Sequence, residues 1–273
     1  MCVWAEVSRS GFYEWLARPA SATARHRFWL AVQVAKVFRA SNGVYGYRKI
    51  HAELVNHGID VGDELVRRLM SELGLVSCHP RPWRITTIQG DGACGPVDLL
   101  KRDFTAATPG VRFVGDITYL STWEGWLYLS TVIDLCTREV VGWAMADHMR
   151  ASLVCDSLTM AATRRVMNDG AVFHSDRGCQ YTSSELADHL ASLDMVGSMG
   201  RTGVCWGNAT AESFFASLKK ECVHRMVFST RKKAGDTVAD YIEVFYNRQR
   251  IHQALGYLTP LQVFESFQTP EAA

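Results

Sequence analysis

The chain has 273 residues, of which 48% are hydrophobic and 21% charged, and its formal net charge is +1. That make-up is ordinary for a globular protein and is enough for one large or two modest domains. No apolar run approaches the roughly 18–20 residues that cross a bilayer, and MCVWAEVSRSGFYEW lacks the basic start and apolar stretch of a secretory signal. No membrane partner is therefore expected, and the expected place is the cytoplasm.

Eight cysteines are scattered at Cys2, Cys78, Cys94, Cys136, Cys155, Cys179, Cys205 and Cys222, with no CxxC pair among them. That spacing argues against a zinc knuckle and for buried or idle thiols. Charge is unevenly spread. Residues 1–110 hold 14 Lys/Arg against 10 Asp/Glu, whereas residues 111–230 hold 10 against 13. A mildly basic front half beside an acid-rich middle suits a polyanion-gripping module next to a cation-binding one.

The first third reads as helical, with Leu30, Val34, Val37 and Phe38 at helical spacing. RKIHAELVNHG follows, with Ile50 and Leu54 four apart and Gly58 placed to end the helix. Asp63 is placed to cap DELVRRLMSELG, in which Leu65, Leu69 and Leu73 form one face and Gly74 is the stop. Two short helices joined by a tight turn fit a helix-turn-helix, with Arg67 and Arg68 facing phosphates, and fit a plain helical hairpin equally. Residues 77–110 carry Pro80, Pro82, Pro96 and Pro109 with Gly90, Gly92 and Gly95, and read as a linker.

Beyond the linker the pattern changes to strands. VRFVGDITYLS, WLYLSTVIDL and EVVGWAMAD are rich in β-branched and aromatic residues, and TWEG and CTR between them are short enough for antiparallel hairpins. A helical RASLVCDSLTMAATRR, a strand AVFHSD, a helix SSELADHLASLD, a short apolar MVGSM and a helix NATAESFFASLKKECV come next. This order predicts an α/β fold, a mixed sheet with helices on its faces.

Three acids stand out. Asp116 lies inside a strand, where a charge is costly unless paired or metal-bound. Asp176 sits where AVFHSD gives way to a glycine turn, and Glu212 in the first turn of a helix among Phe214, Phe215 and Leu218; 35 residues separate the last two. Each has an ordinary alternative, since a strand-end Asp serves turns and an acid in a first turn suits the helix dipole. Asp134, in VIDL, is a competing strand acid.

The words GDITYL, WLYLSTVIDL, HSDRGCQYTS, NATAESFFASLKKE and YNRQRIHQALGYLTP occur in one order across roughly 150 residues, and VSRSGFYEWLAR and YGYRKIHAELVNHG precede them. Together they closely resemble the OrfB-type transposases of the bacterial insertion-sequence-three family, relatives of the retroviral integrases, over nearly the whole chain. The resemblance implies a ribonuclease H-like catalytic core over 111–228, after a helical DNA-binding-like region over 1–76 and the 77–110 linker. A helical DNA-binding extension over 229–273 follows.

It makes Asp116, Asp176 and Glu212 the carboxylate triad that binds Mg²⁺ or Mn²⁺, two ions per active site, and returns Asp134 to a structural role. On this reading Asp116 bridges the ions, while Asp176 and Glu212 each complete one shell, for in-line displacement at phosphorus. No protein nucleophile is needed, so Ser175 is a packing or hydrogen-bonding residue. Asn208 as a helix cap or DNA contact, and Lys219, Arg248, Arg250 and His252 as DNA contacts, are further expectations. His174, Arg177, Gln180 and Tyr181 are expected to shape the site.

The implied partners are DNA, both element ends and target, a second copy of the chain on that DNA, and an upstream-frame partner or fusion. The protein would then be nucleoid-associated when bound. One departure stands out: the family has an Asp before its Asn-Ala segment, and here Gly207 occupies that place. Two other readings compete: a non-catalytic DNA-binding regulator derived from a transposase, against which the intact triad speaks, and a hydrolytic ribonuclease H-like nuclease, which needs neither the N-terminal helix pair nor the basic C-terminal motif.

Overall fold

The structure is a computed structural model and describes residues 4, 7–78, 97–101, 103–200 and 208–268. The chain divides into two compact units, Met1–Cys78 and His79–Ala273. Residues 79–96 of the expected linker, and Gly207, lie outside the described residues.

The first unit contains α1 (Arg9–Ala17), α2 (Ala22–Ala40), α3 (Tyr47–Asn56) and α4 (Asp63–Glu72). Ser8 and Ser21 start the first two helices by accepting from the Gly11 and Ala24 N–H groups. Leu30 and Val34 of α2, Ile50 and Leu54 of α3, and Val66, Leu69 and Met70 of α4 form the buried centre. Gly58 and Gly74 end α3 and α4 with φ of +75° and +63°, a conformation that costs a glycine little.

Two details differ from expectation. Asp63 does not cap α4: Gly62 holds the cap position, and Asp63 is the first helical residue, where the dipole still favours an acid. The buried face is Val66, Leu69 and Met70 rather than Leu65, Leu69 and Leu73. Leu73 lies one residue past the helix end, where the chain has left the packed face, and is 43% exposed.

The second unit is built on a five-stranded mixed sheet of β1 (Arg112–Thr122), β2 (Gly125–Asp134), β3 (Val140–Ala146), β4 (Val172–Ser175) and β5 (Val196–Met199), in the order β3-β2-β1-β4-β5. The three hairpin strands are antiparallel, and β4 and β5 continue the sheet parallel to β1. On one face, α5 (Ala151–Arg164) and α6 (Ser184–Ser192) enclose a core with Phe113, Val132, Val154, Leu158 and Phe173. Gly142 lets α5 approach β3, because a Cβ there would fall 2.1 Å from the Ser157 carbonyl oxygen.

Side chains alternate along a strand, so Val114, Asp116, Thr118 and Leu120 point away from Phe113 and its core. Packed on β1 and β2 are α7 (Ala209–Glu221) and α8 (Arg231–Asp240), the latter continuing as a π-helical stretch, Tyr241–Tyr246, before α9 (Pro260–Gln268). Burial of Phe214, Phe215 and Leu218 stabilises the docking of α7 by about 6 kcal/mol gross, at about 2 kcal/mol per side chain.

The segment after α7 is not a separate appendage. Phe228, Val238, Ile242, Phe245 and Ile251 are buried within the same unit as the sheet. The described end of the expected linker is also held there, by buried Leu100 and by the Leu99 N–H donating to Ser198 Oγ.

Candidate active site

Pairing between β1 and β4 brings two of the acids together. The strands are parallel and in register, with Val114 opposite His174. Two residues further on stand Asp116, within β1, and Asp176, near enough for the second charge to act on the first. Asp176 is just past the end of β4, where its Oδ1 accepts from the Gly178 N–H at 2.9 Å and shapes the turn. Asp116 Oδ1 accepts from the Ile117 N–H at 2.8 Å.

The third acid arrives with α7. Asn208, at the start of that helix, donates its side-chain amide to the Gly115 carbonyl at 2.9 Å, while its own carbonyl accepts from the Glu212 N–H at 3.0 Å. One buried residue thus links the backbone beside Asp116 to that of Glu212. The expected cap is absent, because Asn208 makes no side-chain cap bond. Its Nδ2 is turned to the strand while its Oδ1 takes no helix N–H, and at 5% exposure it is a poor DNA contact. Arg138, from the turn between β2 and β3, donates to Thr210 Oγ1 and to the Phe104 carbonyl, securing the same helical turn.

Charge accumulates at this point. Burial, then Asp176 and Glu212, push the Asp116 carboxyl up to about 7, against the Ile117 N–H and Lys219, which favour its ionised form. Burial also raises the Glu212 carboxyl. Lys219 is half-buried, with its ammonium 5.2 Å from the centre of the Tyr119 ring; burial lowers its pKa and Asp116 opposes that. Tyr181 is buried with its hydroxyl unpartnered among the described residues, and burial, Asp116 and Asp176 hold it well above the usual phenol range.

Asp116 feels the charge of both other carboxylates, but the three do not form a closed cluster. Among the described residues no three carboxylate, imidazole or thiolate groups stand close enough to hold one metal ion together. Asp116 is half-buried, whereas Asp176 and Glu212 are exposed at the rim. Hard oxygen donors, an excess of negative charge and the orphaned Tyr181 hydroxyl beside Asp116 and Asp176 fit a hydrated divalent cation.

The neighbours expected to shape the site have defined positions. His174 is buried, with Nδ1 2.9 Å from Ser198 Oγ. Arg177 donates to the Gly200 carbonyl and Gln180 to that of Met149, while Ser175 Oγ donates to the Asp176 carbonyl. Asp134 is fully engaged elsewhere, accepting from the Gly110, Cys136 and Thr137 N–H groups at 2.8 Å each.

Away from the acids, Arg67 and Arg68 are exposed and both pair with Glu64 one turn before them on α4. Arg248 is exposed. Arg250 does not present itself to DNA as expected: it is 12% exposed and forms a short ion pair with Glu221, itself 6% exposed. His252 is half-buried, its ring edge-on to Tyr246 at 4.9 Å.

Sequence reasoning passed over Arg138, Glu221, Tyr241 and Asn247. Glu221 carried a readable signal, since an acid in the last turn of a helix opposes the dipole and calls for a partner.

Residues 106–205 match the integrase core domain, 212–266 match a second integrase core domain family, and 27–83 match an HTH-like domain. The chain is 39% identical over 264 residues to the transposase InsF for insertion sequence IS3A of Escherichia coli (strain K12), covering 96% of this chain and 92% of that protein. It is 36% identical over 269 residues to the insertion element IS600 uncharacterized 31 kDa protein of Shigella sonnei, covering 98% of each. Among solved structures it resembles a chain of the simian T-cell lymphotropic virus intasome in complex with PP2A regulatory subunit B56 gamma. There the TM-score is 0.51 at 15% identity, covering 88% of this chain and 76% of that one. Identity that low speaks for the fold alone.

Proposed function

The chain belongs to the insertion-sequence-three family of transposases and carries their integrase core, and we propose that Asp116, Asp176 and Glu212 are its catalytic carboxylates, holding two Mg²⁺ or Mn²⁺ ions for cleavage and strand transfer at element ends. What supports this reading is the parallel pairing of β1 with β4 that ends two residues before Asp116 and Asp176, with Asn208 tying the Glu212 turn to the backbone beside Asp116.

When bound, the ions lower the pKa of the attacking hydroxyl and neutralise charge on the leaving oxygen. The protein's own residues do the remaining work. Asp116, the most enclosed of the three acids, would be the ligand shared with Asp176 and Glu212. Asp176 is oriented by the Gly178 N–H, and Glu212 is carried by the first turn of α7. Tyr181 stands beneath, with a hydroxyl able to donate to a carboxylate or to an ordered water. In each step a new P–O bond forms to water or to a 3′ hydroxyl, the opposite P–O bond breaks with its electrons on the leaving oxygen, and the nucleophile's proton passes to solvent.

DNA is held by groups outside the acids. Lys219, beside Asp116, is placed to meet the backbone at the reacting phosphate, and Arg248 to extend that contact. Arg67 and Arg68 on α4 meet phosphates by exchanging Glu64 for them. His252 supports the Tyr246 ring rather than DNA. Two ends must be joined, so a second copy of the chain works on the same DNA, with an upstream-frame product as fusion or partner, in the cytoplasm at the nucleoid. Among the described residues no helix is long and apolar enough to cross a membrane.

The test uses the full chain, alone and fused to its upstream frame, with labelled element ends and Mg²⁺ or Mn²⁺. Metal-dependent cleavage at the 3′ ends and joining, both abolished by Asp116→Asn, is the expected result. Binding without products, indifferent to that substitution, would leave a DNA-binding regulator; cutting without joining would leave a nuclease.

A further inference from the structure

Glu221 closes α7 with a negative charge at the end of the helix where the dipole disfavours one, and it is buried. A carboxylate so placed is tolerated only with strong donors around it. Arg250 supplies them: Nε donates at 2.8 and 3.1 Å to the two carboxylate oxygens, and Nη2 donates at 2.7 Å to Oε1 and at 3.3 Å to Ser217 Oγ, one turn earlier on the same helix. The Tyr241 hydroxyl adds a third donor to Glu221 at 2.7 Å. The arginine is also seated against the Tyr246 ring, 5.8 Å from its centre.

The segment that carries Arg250 is itself anchored to the sheet. Asn247, buried at 4% exposure, accepts from the Val140 N–H and donates to the Val140 carbonyl, both at 3.0 Å, so its side chain imitates a neighbouring strand on β3. Its own carbonyl accepts from the Leu261 N–H at the start of α9. The short segment Asn247–Arg250 therefore spans from β3, to which Asn247 is hydrogen-bonded, to the last two turns of α7, to which Arg250 is hydrogen-bonded. At the other end of that helix, Asn208 and Arg138 hold the first turn to β1 and to the β2–β3 turn.

We propose that Arg250 is a positioning residue for catalysis: with Glu221 and Asn247 it forms a strut that sets the rotation and axial position of α7, and through them the place of Glu212. This rests on the reading of Glu212 as a metal ligand. Glu212 lies nine residues from Glu221, about 13 Å along a rigid helix at 1.5 Å per residue. A shift at the clasp is delivered to the acid, because α7 has two ends held and no Gly or Pro between them to absorb it. The burial of Arg250, and the direction of its donors, take it out of reach of a phosphate. A buried ion pair adds little stability over an apolar pair of the same volume, but it imposes one geometry.

The experiment compares wild type, Asp116→Asn, Arg250→Lys, Arg250→Met and the double variant Glu221→Leu/Arg250→Met, all in the full chain. Three quantities are read: turnover against Mn²⁺ and Mg²⁺ concentration, affinity for element ends against salt, and melting temperature. For Arg250→Met the strut predicts turnover down about tenfold to hundredfold, the usual effect of misplacing a ligand. It also predicts a several-fold higher metal concentration at half-maximal rate and end affinity unchanged within about twofold. Arg250→Lys, which keeps the charge but not the fork, recovers part of the rate. The double variant regains the melting temperature lost by the single one while turnover stays low.

If turnover returns together with stability, the pair only holds the fold and the inference falls. It also falls if Arg250→Met weakens end binding and reduces the salt slope by about one phosphate contact. The double variant and Arg250→Lys carry the test should Arg250→Met not fold. Wild-type activity that needs no metal, or that survives in Asp116→Asn, would overturn the metal reading itself. Metal-dependent wild-type activity with an unchanged metal response in the Arg250 variants would overturn only the strut.

Discussion

Replacing Asp116 by Asn is expected to stabilise the metal-free protein at alkaline pH. The carboxyl is moved from its ordinary 3.8 to about 7 by burial and by the neighbouring acids. A carboxyl raised on folding makes the native chain bind the proton more tightly than the unfolded chain does. The contribution of this group to stability is therefore full below about pH 4, is lost as pH rises through about 7, and is absent beyond. At 1.36 kcal/mol per pH unit the difference corresponds to a ceiling of about 4 kcal/mol, and water reaching the partly exposed carboxylate reduces it to about 1–3 kcal/mol.

Asparagine has the same shape and keeps the acceptor for the Ile117 N–H, so the substitution removes the charge and little else. For a domain of this size the gain is worth about 2–4 °C in melting temperature per kcal/mol. Thermal denaturation is followed in chelator at about pH 8 and about pH 4, then repeated with saturating Mg²⁺. The variant melts higher than wild type at the alkaline pH and level with it at the acid one. Magnesium raises the wild-type midpoint and leaves the variant nearly unmoved, since a ligand stabilises only the state that binds it. A variant that melts lower at both pH values, or that gains as much from magnesium as wild type, would refute the convergence of charge at Asp116.

Other substitutions separate roles. Asp134→Ala, which strips three buried N–H groups of their acceptor, lowers stability by about 3 kcal/mol or more in denaturant titration. Gly142→Ala drives a methyl group into the Ser157 carbonyl and costs at least about 2 kcal/mol by the same measurement; a neutral result would mean α5 is free to move off β3. Arg248→Ala weakens binding to element ends of any sequence and lowers the salt slope by about 0.9, with melting temperature unchanged. Arg67→Ala does the same, whereas Glu64→Gln, which frees both arginines of α4 from their partner, strengthens end binding at low salt.

Much of the chain was legible residue by residue. Hydrophobic period and turn chemistry located the helices and strands of both units, because a buried stripe or face leaves a local pattern whatever it packs against. The family's words singled out the three acids proposed as catalytic. What the sequence could not convey was direction. Asn208 has the chemistry of a cap, but its Nδ2 is turned to the Gly115 carbonyl and its Oδ1 meets no helix N–H. Arg250 has the chemistry of a phosphate ligand, but Glu221 claimed its fork. Asp63 lost its capping place to a glycine, and Leu73 fell one residue beyond the face it was counted in.

By itself, then, the order of residues determined which segments become helices and strands, which carboxylates are available and to which family of DNA-joining enzymes the chain belongs. Only the tertiary structure decided that β1 pairs in parallel with β4 just before Asp116 and Asp176, that α7 is held at both ends, and that of two arginines two residues apart Arg248 is exposed while Arg250 is enclosed in an ion pair with Glu221. The reason is physical: propensity and periodicity are written in near neighbours, whereas the partner of a polar side chain is chosen by pairings across a hundred residues that no local pattern encodes.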